Sequence, residues 1–185
     1  MEREIKMVEQ LVERIRQKDQ RAMSQLYQMY VKELSSVCYR YVPVRNDAKD
    51  VLQNSFVKIF TSIPTINYQS EEALWGWMKR IVVNESLAYL REKKRLLFVV
   101  QAIEGVEQMD ESEPQSERIS SEELHQLISE LPDGYRTVVN LYVFEGYSHK
   151  QIAELLGIKE STSSSQFYYA KRLLAKRIKE IINGK

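Results

Sequence analysis

The stretch SHKQIAELLGIKESTSSSQFYYAKR, residues 148–172, decides the fold. Ser148 and Gln151 stand at capping-box spacing and open a short helix through Ile152, Ala153, Leu155 and Leu156. Gly157 suits the left-handed position that ends such a helix. Ser161 restarts a helix that runs to about Ile182. Two capped helices across a glycine turn are what a helix-turn-helix requires. Ala153 is small where the helices would cross, and Leu156 and Ile158 bracket the turn. The second helix would offer its first residues to a DNA major groove. An ordinary helical hairpin has the same spacing, so this stretch alone fixes a fold and not yet a partner.

Working upstream, Ser120 and Glu123 form a second capping-box pair, followed by the apolar face Leu124, Leu127, Ile128 and Leu131. Pro132 can open the next helix, which Tyr135, Val138, Val139, Leu141, Tyr142 and Val143 fill as far as Gly146. Residues 96–119 change character. Acidic residues, serines, Gly105 and Pro114 leave too little apolar surface to fold alone, so a flexible acidic linker is expected, with residues 96–100 docking locally or not at all. Before it, Met23, Leu26, Tyr30, Leu34, Val37 and Tyr41 make one helical stripe, and Pro43 interrupts it. Asp47 can cap a helix with Ala48, Val51, Leu52, Ser55, Ile59 and Phe60 on one side, closed by Pro64. Residues 66–70 read as a loop. A long helix follows through Leu74, Trp77, Met78, Ile81, Leu87 and Leu90, with Trp77 expected in the core. No strand and no internal repeat is legible. The expected fold is all-α, with two small helical domains on a flexible acidic linker: 1–20 an N-terminal helical extension, 21–95 the first domain, 96–119 the linker and 120–185 the second domain.

A net charge of +1 hides a strong pattern. Residues 79–95 carry six basic and two acidic side chains, residues 104–123 eight acidic and one basic, and residues 171–185 six basic and one acidic. Basic clusters neutralise phosphates and release counterions, which makes nucleic acid a natural partner, although lysines also simply solvate helix faces. One cysteine, Cys38, permits no internal disulfide. The N-terminus has no signal-peptide core, and no apolar run reaches the roughly 20 residues of a membrane helix. A cytoplasmic protein without membrane insertion is expected.

Catalytic chemistry finds little support. His125 and His149 are isolated from each other and from Cys38, and the six glycines are scattered. Neither a metal nor another cofactor is expected, and an enzyme ranks low. Three constellations suit binding instead. Asp47, Asp50, Gln53 and Asn54 give one polar, acidic helix face. Tyr68, Trp75, Trp77 and Tyr89 interleave with Lys79, Arg80, Arg91 and the basic end that follows, a pattern suited to single-stranded DNA, while Asn84 could bond a base edge. The third is the helix-turn-helix.

In this order, with this linker, the constellations resemble the extracytoplasmic-function (ECF) group of bacterial RNA polymerase sigma factors over about residues 21–182. DAKDVLQNSFVKIF, residues 47–60, looks like the family's face for the polymerase beta-prime coiled coil, which implies core-polymerase contacts at Asp47, Asp50, Gln53 and Asn54. LWGWMKRIVVNESLAYLREKKR, residues 74–95, is similar to the helix that reads the minus-ten element, with Asn84 where the family captures a flipped base and residues 66–72 where it has a specificity loop. The minus-ten residues implied are Tyr68, Trp75, Lys79, Arg80, Asn84 and Arg91. Residues 131–158 resemble the minus-thirty-five reader, sigma region 4, as 21–95 resembles sigma region 2. The recognition helix departs from the family in having few arginines. Its expected readers are Thr162, Ser164, Ser165, Gln166, Tyr168, Tyr169, Lys171 and Arg172, better suited to adenine, thymine methyls and phosphates than to a guanine-rich element.

The resemblance implies a transcription initiation factor that binds core RNA polymerase (beta-prime coiled coil and beta flap), directs it to promoter DNA and assists melting, and that an anti-sigma factor restrains. A helix-turn-helix regulator independent of polymerase would share the second domain only. A helical adaptor without nucleic acid would share neither basic cluster's purpose.

Overall fold

The computed structural model describes residues 2–93 and 119–184, with side chains from Met7 onward. Lys94, Arg95 and all of the expected linker except Ile119 lie outside the described residues. Two units result, Met1–Lys93 and Lys94–Lys185. Among the described residues all regular structure is helical.

The first unit holds α1 (Glu2–Arg16), α2 (Gln20–Tyr41), α3 (Arg45–Ser62) with a 3₁₀ turn (Ile63–Thr65), and α4 (Glu71–Glu92). Helices α2, α3 and α4 pack on one another, and α1 packs against α2 and the 3₁₀ turn. The α2 stripe is buried at Leu26, Tyr30, Leu34, Val37 and Tyr41, joined by Ala22 and Cys38. Asp19 caps α2 by accepting from the N–H groups of Arg21 (2.8 Å) and Ala22 (3.3 Å). It also pairs with Arg14 at 2.8 Å. That bond with Arg14, then the Ala22 N–H, holds the Asp19 carboxyl below the usual carboxylate range. The preceding residue, Lys18, carries φ 62, a left-handed turn that glycine would occupy without strain. Cys38 sits where α2, α3 and α4 meet: its thiol donates to the Ala48 carbonyl at 3.5 Å and lies 3.8 Å from the Ser86 hydroxyl.

Helix α1, expected only as an N-terminal helical extension, joins this core. Val8, Leu11, Val12 and Ile15 are all buried, a period-3.6 stripe like that of α2. Two expectations inside the unit need correction. Asp47 does not cap α3: the cap position is Val44, without a side-chain bond, and Asp47 lies in the first turn. A carboxylate there still suits the exposed N–H groups of a helix start. Trp77 is only half-buried, because the buried row of α4 runs Leu74, Met78, Val82, Ser86 and Leu90 in steps of four, with Val83 and Leu87 beside it.

The second unit holds α5 (Ser121–Ser129), α6 (Asp133–Val139), a π-turn (Asn140–Phe144), α7 (His149–Leu156) and α8 (Glu160–Gly184). Both expected capping boxes form, at Ser120 with Glu123 and at Ser148 with Gln151. Ile128, Leu131, Tyr135, Val139 and Ala170 make the core. Arg136 is buried beneath them (3% exposed). It donates to the Leu131 carbonyl at 2.6 Å and the Ser129 carbonyl at 3.3 Å and pairs with Asp133, which ties the end of α5 to the start of α6.

Candidate nucleic-acid interface

The helix-turn-helix is built as its residues require. Gly157 takes φ 69 after α7, and its N–H bonds back to the Ala153 carbonyl. Any side chain there would meet left-handed strain rather than a steric clash. Ile152 and Ala153 are buried against α8, while Leu156 and Ile158 are half-buried. His149, the first residue of α7, bonds the Ser163 hydroxyl at 2.9 Å and stacks on Tyr142 with ring centroids 4.6 Å apart. Phe167 closes this aromatic group at 4.6 Å from Tyr142. The start of α7, the π-turn and the recognition helix are thus locked together. The π-turn itself, marked by the Glu145 N–H bonding the Asn140 carbonyl at 3.1 Å, ends the helix expected to run to Gly146 and leaves Tyr142 and Val143 exposed. The extra residue of a π-turn shifts the helix phase, which alternation in the sequence does not announce.

Of the eight expected minus-thirty-five readers, Ser164, Tyr168 and Lys171 are exposed, and Thr162, Ser165 and Arg172 are half-exposed. Ser161, Ser164, Tyr168 and Arg172 step by three and four along one face. Arg172 donates to the Tyr168 hydroxyl at 2.7 Å and lies over its ring at 5.5 Å. Lys171 lies over the Phe167 ring at 5.4 Å. One expected reader, Gln166, is enclosed, and another, Tyr169, is partly packed inward. Gln166 is 1% exposed, with both amide atoms enclosed and lacking hydrogen-bond partners among the described residues. Tyr169 stacks on Tyr135 and belongs to the core's edge. Gln166 lies on the inward side of α8, out of reach of a base, while Tyr169 keeps part of its surface exposed.

In the first unit, Arg80, Asn84 and Arg91 are exposed on α4 and separated by four and seven residues, so they share a face. Trp77, seven residues before Asn84, lies on that same face. Both tryptophans are half-buried, so Trp77 is less enclosed than expected. Trp75 stacks on Tyr30 with ring centroids 6.2 Å apart, and Lys79 shares its half-buried flank. Trp77 is half-exposed, about two turns before Asn84. Tyr68 stands midway along the loop at residues 66–70. Its ring is half-buried, and its hydroxyl is enclosed without a hydrogen-bond partner among the described residues. Burial, then the charge of Glu71, pushes the Tyr68 phenol above its ordinary pKa.

On α3, Asp50, Gln53 and Asn54 are exposed and Asp47 is half-buried. Overlapping this polar face at Gln53 runs a groove between α2 and α3, lined by Tyr27, Leu52, Phe56, Val57 and Phe60 with Lys49 at its polar side. Tyr27 and Val57 are 43% and 57% exposed. Sequence reasoning missed both. The signal was present: each stands off its helix's buried stripe, and exposed apolar side chains beside a polar strip mark a docking surface. Among the described residues no group of three or more His, Cys, Asp or Glu lies placed to hold a metal ion.

Comparison with known proteins defines the class first. The Sigma-70 region 2 family matches residues 26–96, and the Sigma-70, region 4 family matches residues 121–174. The first match covers most of the first unit and runs three residues past its end, and the second lies within the second unit. The ECF RNA polymerase sigma-E factor of Haemophilus influenzae is 31% identical over 183 residues, covering 93% of this chain and 95% of that protein. The RNA polymerase sigma-H factor of Pseudomonas aeruginosa is 26% identical, covering 94% and 95%. The chain belongs to the ECF RNA polymerase sigma factors. Its fold is similar to that of the sigma factor RpoE of Bartonella quintana, solved in complex with the anti-sigma factor NepR. That likeness has TM-score 0.50, 18% identity, and coverage of 84% of this chain and 96% of that one.

Proposed function

We propose that this sigma factor binds core RNA polymerase through α3, captures melted minus-ten DNA with α4 and the loop before it, and reads the minus-thirty-five element with α8. One observation carries the reading. Two independent units each present a DNA-suited face, and each falls within a sigma-70 region match. Asp47, Asp50, Gln53 and Asn54 supply the polar half of the polymerase contact, and the Tyr27–Val57 groove supplies the apolar half. This combination fits an amphipathic partner helix, as the beta-prime coiled coil would present. Arg80, Asn84 and Arg91 face solvent with Trp77 at the head of their row, which supports stacking and phosphate contacts on unstacked bases. Flipping a base costs a few kcal/mol, offset by stacking and base-edge bonds. The outward row of α8 favours phosphates through Lys171 and Arg172, with Ser164 and Tyr168 against base edges.

The same reading makes the chain non-enzymatic and cytoplasmic. No described helix is long and apolar enough to cross a membrane. An anti-sigma partner is part of the proposal, supported by the complex in which the Bartonella sigma factor was solved. The test is transcription by purified core polymerase from genomic fragments with and without the protein. Stimulation from a defined set of promoters is expected, and no stimulation from any fragment ends the reading.

A further inference from the structure

We infer that α1 and α2 fasten both ends of the loop that precedes the minus-ten helix, and that Arg16 is the positioning residue for promoter melting. The inference rests on the assignment of that loop to minus-ten DNA. Arg16 closes α1, and its guanidinium donates to the Ile66 carbonyl at 2.6 Å, across fifty residues of chain. Ile66 is the first residue of the loop. At the other end, the buried Tyr30 donates its hydroxyl to Glu71, the first residue of α4, at 2.8 Å. Burial and this bond raise the Tyr30 phenol well above its ordinary pKa, so it remains a donor throughout the physiological range. Ser70 then caps α4 by accepting from the Ala73 N–H at 3.1 Å. Tyr68 is left between the two fastenings, and Trp75 one turn into α4 is stacked on the same Tyr30 ring.

A loop that must catch a base as it leaves the stack gains from being ordered beforehand, because ordering it at the moment of capture would be charged against melting. Five residues held at both ends meet that need. Nothing in the region 2 match, which begins at residue 26, includes the Arg16 contact.

The test uses the full chain with core polymerase on a responsive promoter, as intact duplex and with a mismatched bubble across the minus-ten element. Base preference is read from a library randomised at that element. Arg16→Ala is expected to bind core polymerase normally and to initiate roughly tenfold less on duplex, the size of one hydrogen bond to a charged group. It should lose less on the bubble and show a flattened base preference. Arg16→Lys, which keeps a donor, should recover part of both. Tyr30→Phe keeps the ring stack and should shift base preference in the same direction by less, and it decides the matter if Arg16→Ala fails to fold. Equal losses on duplex and bubble with unchanged base preference in all three variants overturn the inference. Tyr68→Ala and Asn84→Ala separate it from its premise: if these also leave base preference unchanged, it is the assignment of the loop to minus-ten DNA that fails.

Discussion

In the first unit, the surface assigned to melted DNA is held from far along the chain. Arg16 reaches Ile66 and Tyr30 reaches Glu71, contacts spanning 50 and 41 residues. In the second, the reading row of α8 is held mostly from within. Ser164 donates to the Glu160 carbonyl, Ser165 to the Thr162 carbonyl and Arg172 to Tyr168, all within four residues. The tie from His149 to Ser163 spans 14 residues. On the proposed function, the contrast follows from the substrates. Duplex DNA presents a regular groove, and a correctly angled helix suffices. Melted DNA presents no fixed shape, so the protein must supply one.

The largest expected effect tests whether the units are separate at all. Arg136→Ala removes a buried guanidinium and leaves the Leu131 carbonyl and Asp133 without it, a change that typically costs about 3–5 kcal/mol. Both tryptophans, Trp75 and Trp77, lie in the first unit. Thermal unfolding followed by tryptophan fluorescence should therefore stay in place while an earlier transition appears by circular dichroism. A shift of both together would break the comparison.

Next in size is the melting helix. Asn84→Ala should lower initiation about tenfold, near 1.4 kcal/mol, without weakening core binding measured by fluorescence anisotropy. Equal loss of both would refute the role given to Asn84. Tyr168→Ala should instead weaken binding of duplex carrying the minus-thirty-five element and spare a pre-melted template.

Gln166→Leu sharpens the boundary of the reading face. Removing a buried amide that lacks partners is expected to leave stability unchanged or raised by about 1 kcal/mol. Minus-thirty-five preference should not change, and a changed preference would return Gln166 to the interface.

The loop fastening in the first unit depends on how α1 turns into α2. Lys18→Gly relieves a left-handed backbone and should stabilise the chain by about 0.5–1 kcal/mol in urea unfolding. Asp19 gives the smallest effect, and its sign can be worked out. Its pKa is lowered by folding, so its contribution is present above the unfolded carboxylate range and is lost as pH falls through the folded value. Stability measured from pH 6 downward should fall less steeply for Asp19→Asn than for the parent chain.

What could be read in the sequence was local. The capping boxes at Ser120 and Ser148, the Gly157 turn and the loop at 66–70 depend on residues a few positions apart, and each stands as expected. The errors share one cause. Periodicity shows that a helix has an inside but fixes its phase only loosely, and the partner helix chooses among adjacent residues. Trp75 rather than Trp77 met a ring because Tyr30 lay opposite it. Polar and aromatic residues near a recognition helix's start, such as Gln166 and Tyr169, suggest DNA readers by type alone. Gln166 is buried instead, and Tyr169 stacks on Tyr135 of α6. The α1 stripe was legible in principle at Val8, Leu11, Val12 and Ile15, but the bonds from Arg16 and Tyr30 join residues no local pattern connects.

The position of Cys38, enclosed at the meeting of three helices with its thiol pKa pushed up by burial to about 11, has a practical outcome. At neutral pH only about one thiol in ten thousand would be ionised, so maleimides and iodoacetamide should pass it by while the protein is folded. A cysteine placed on any outward position of α4 or α8 would then be the reactive one, and dyes attached there could follow opening of promoter DNA in real time on an otherwise native polypeptide.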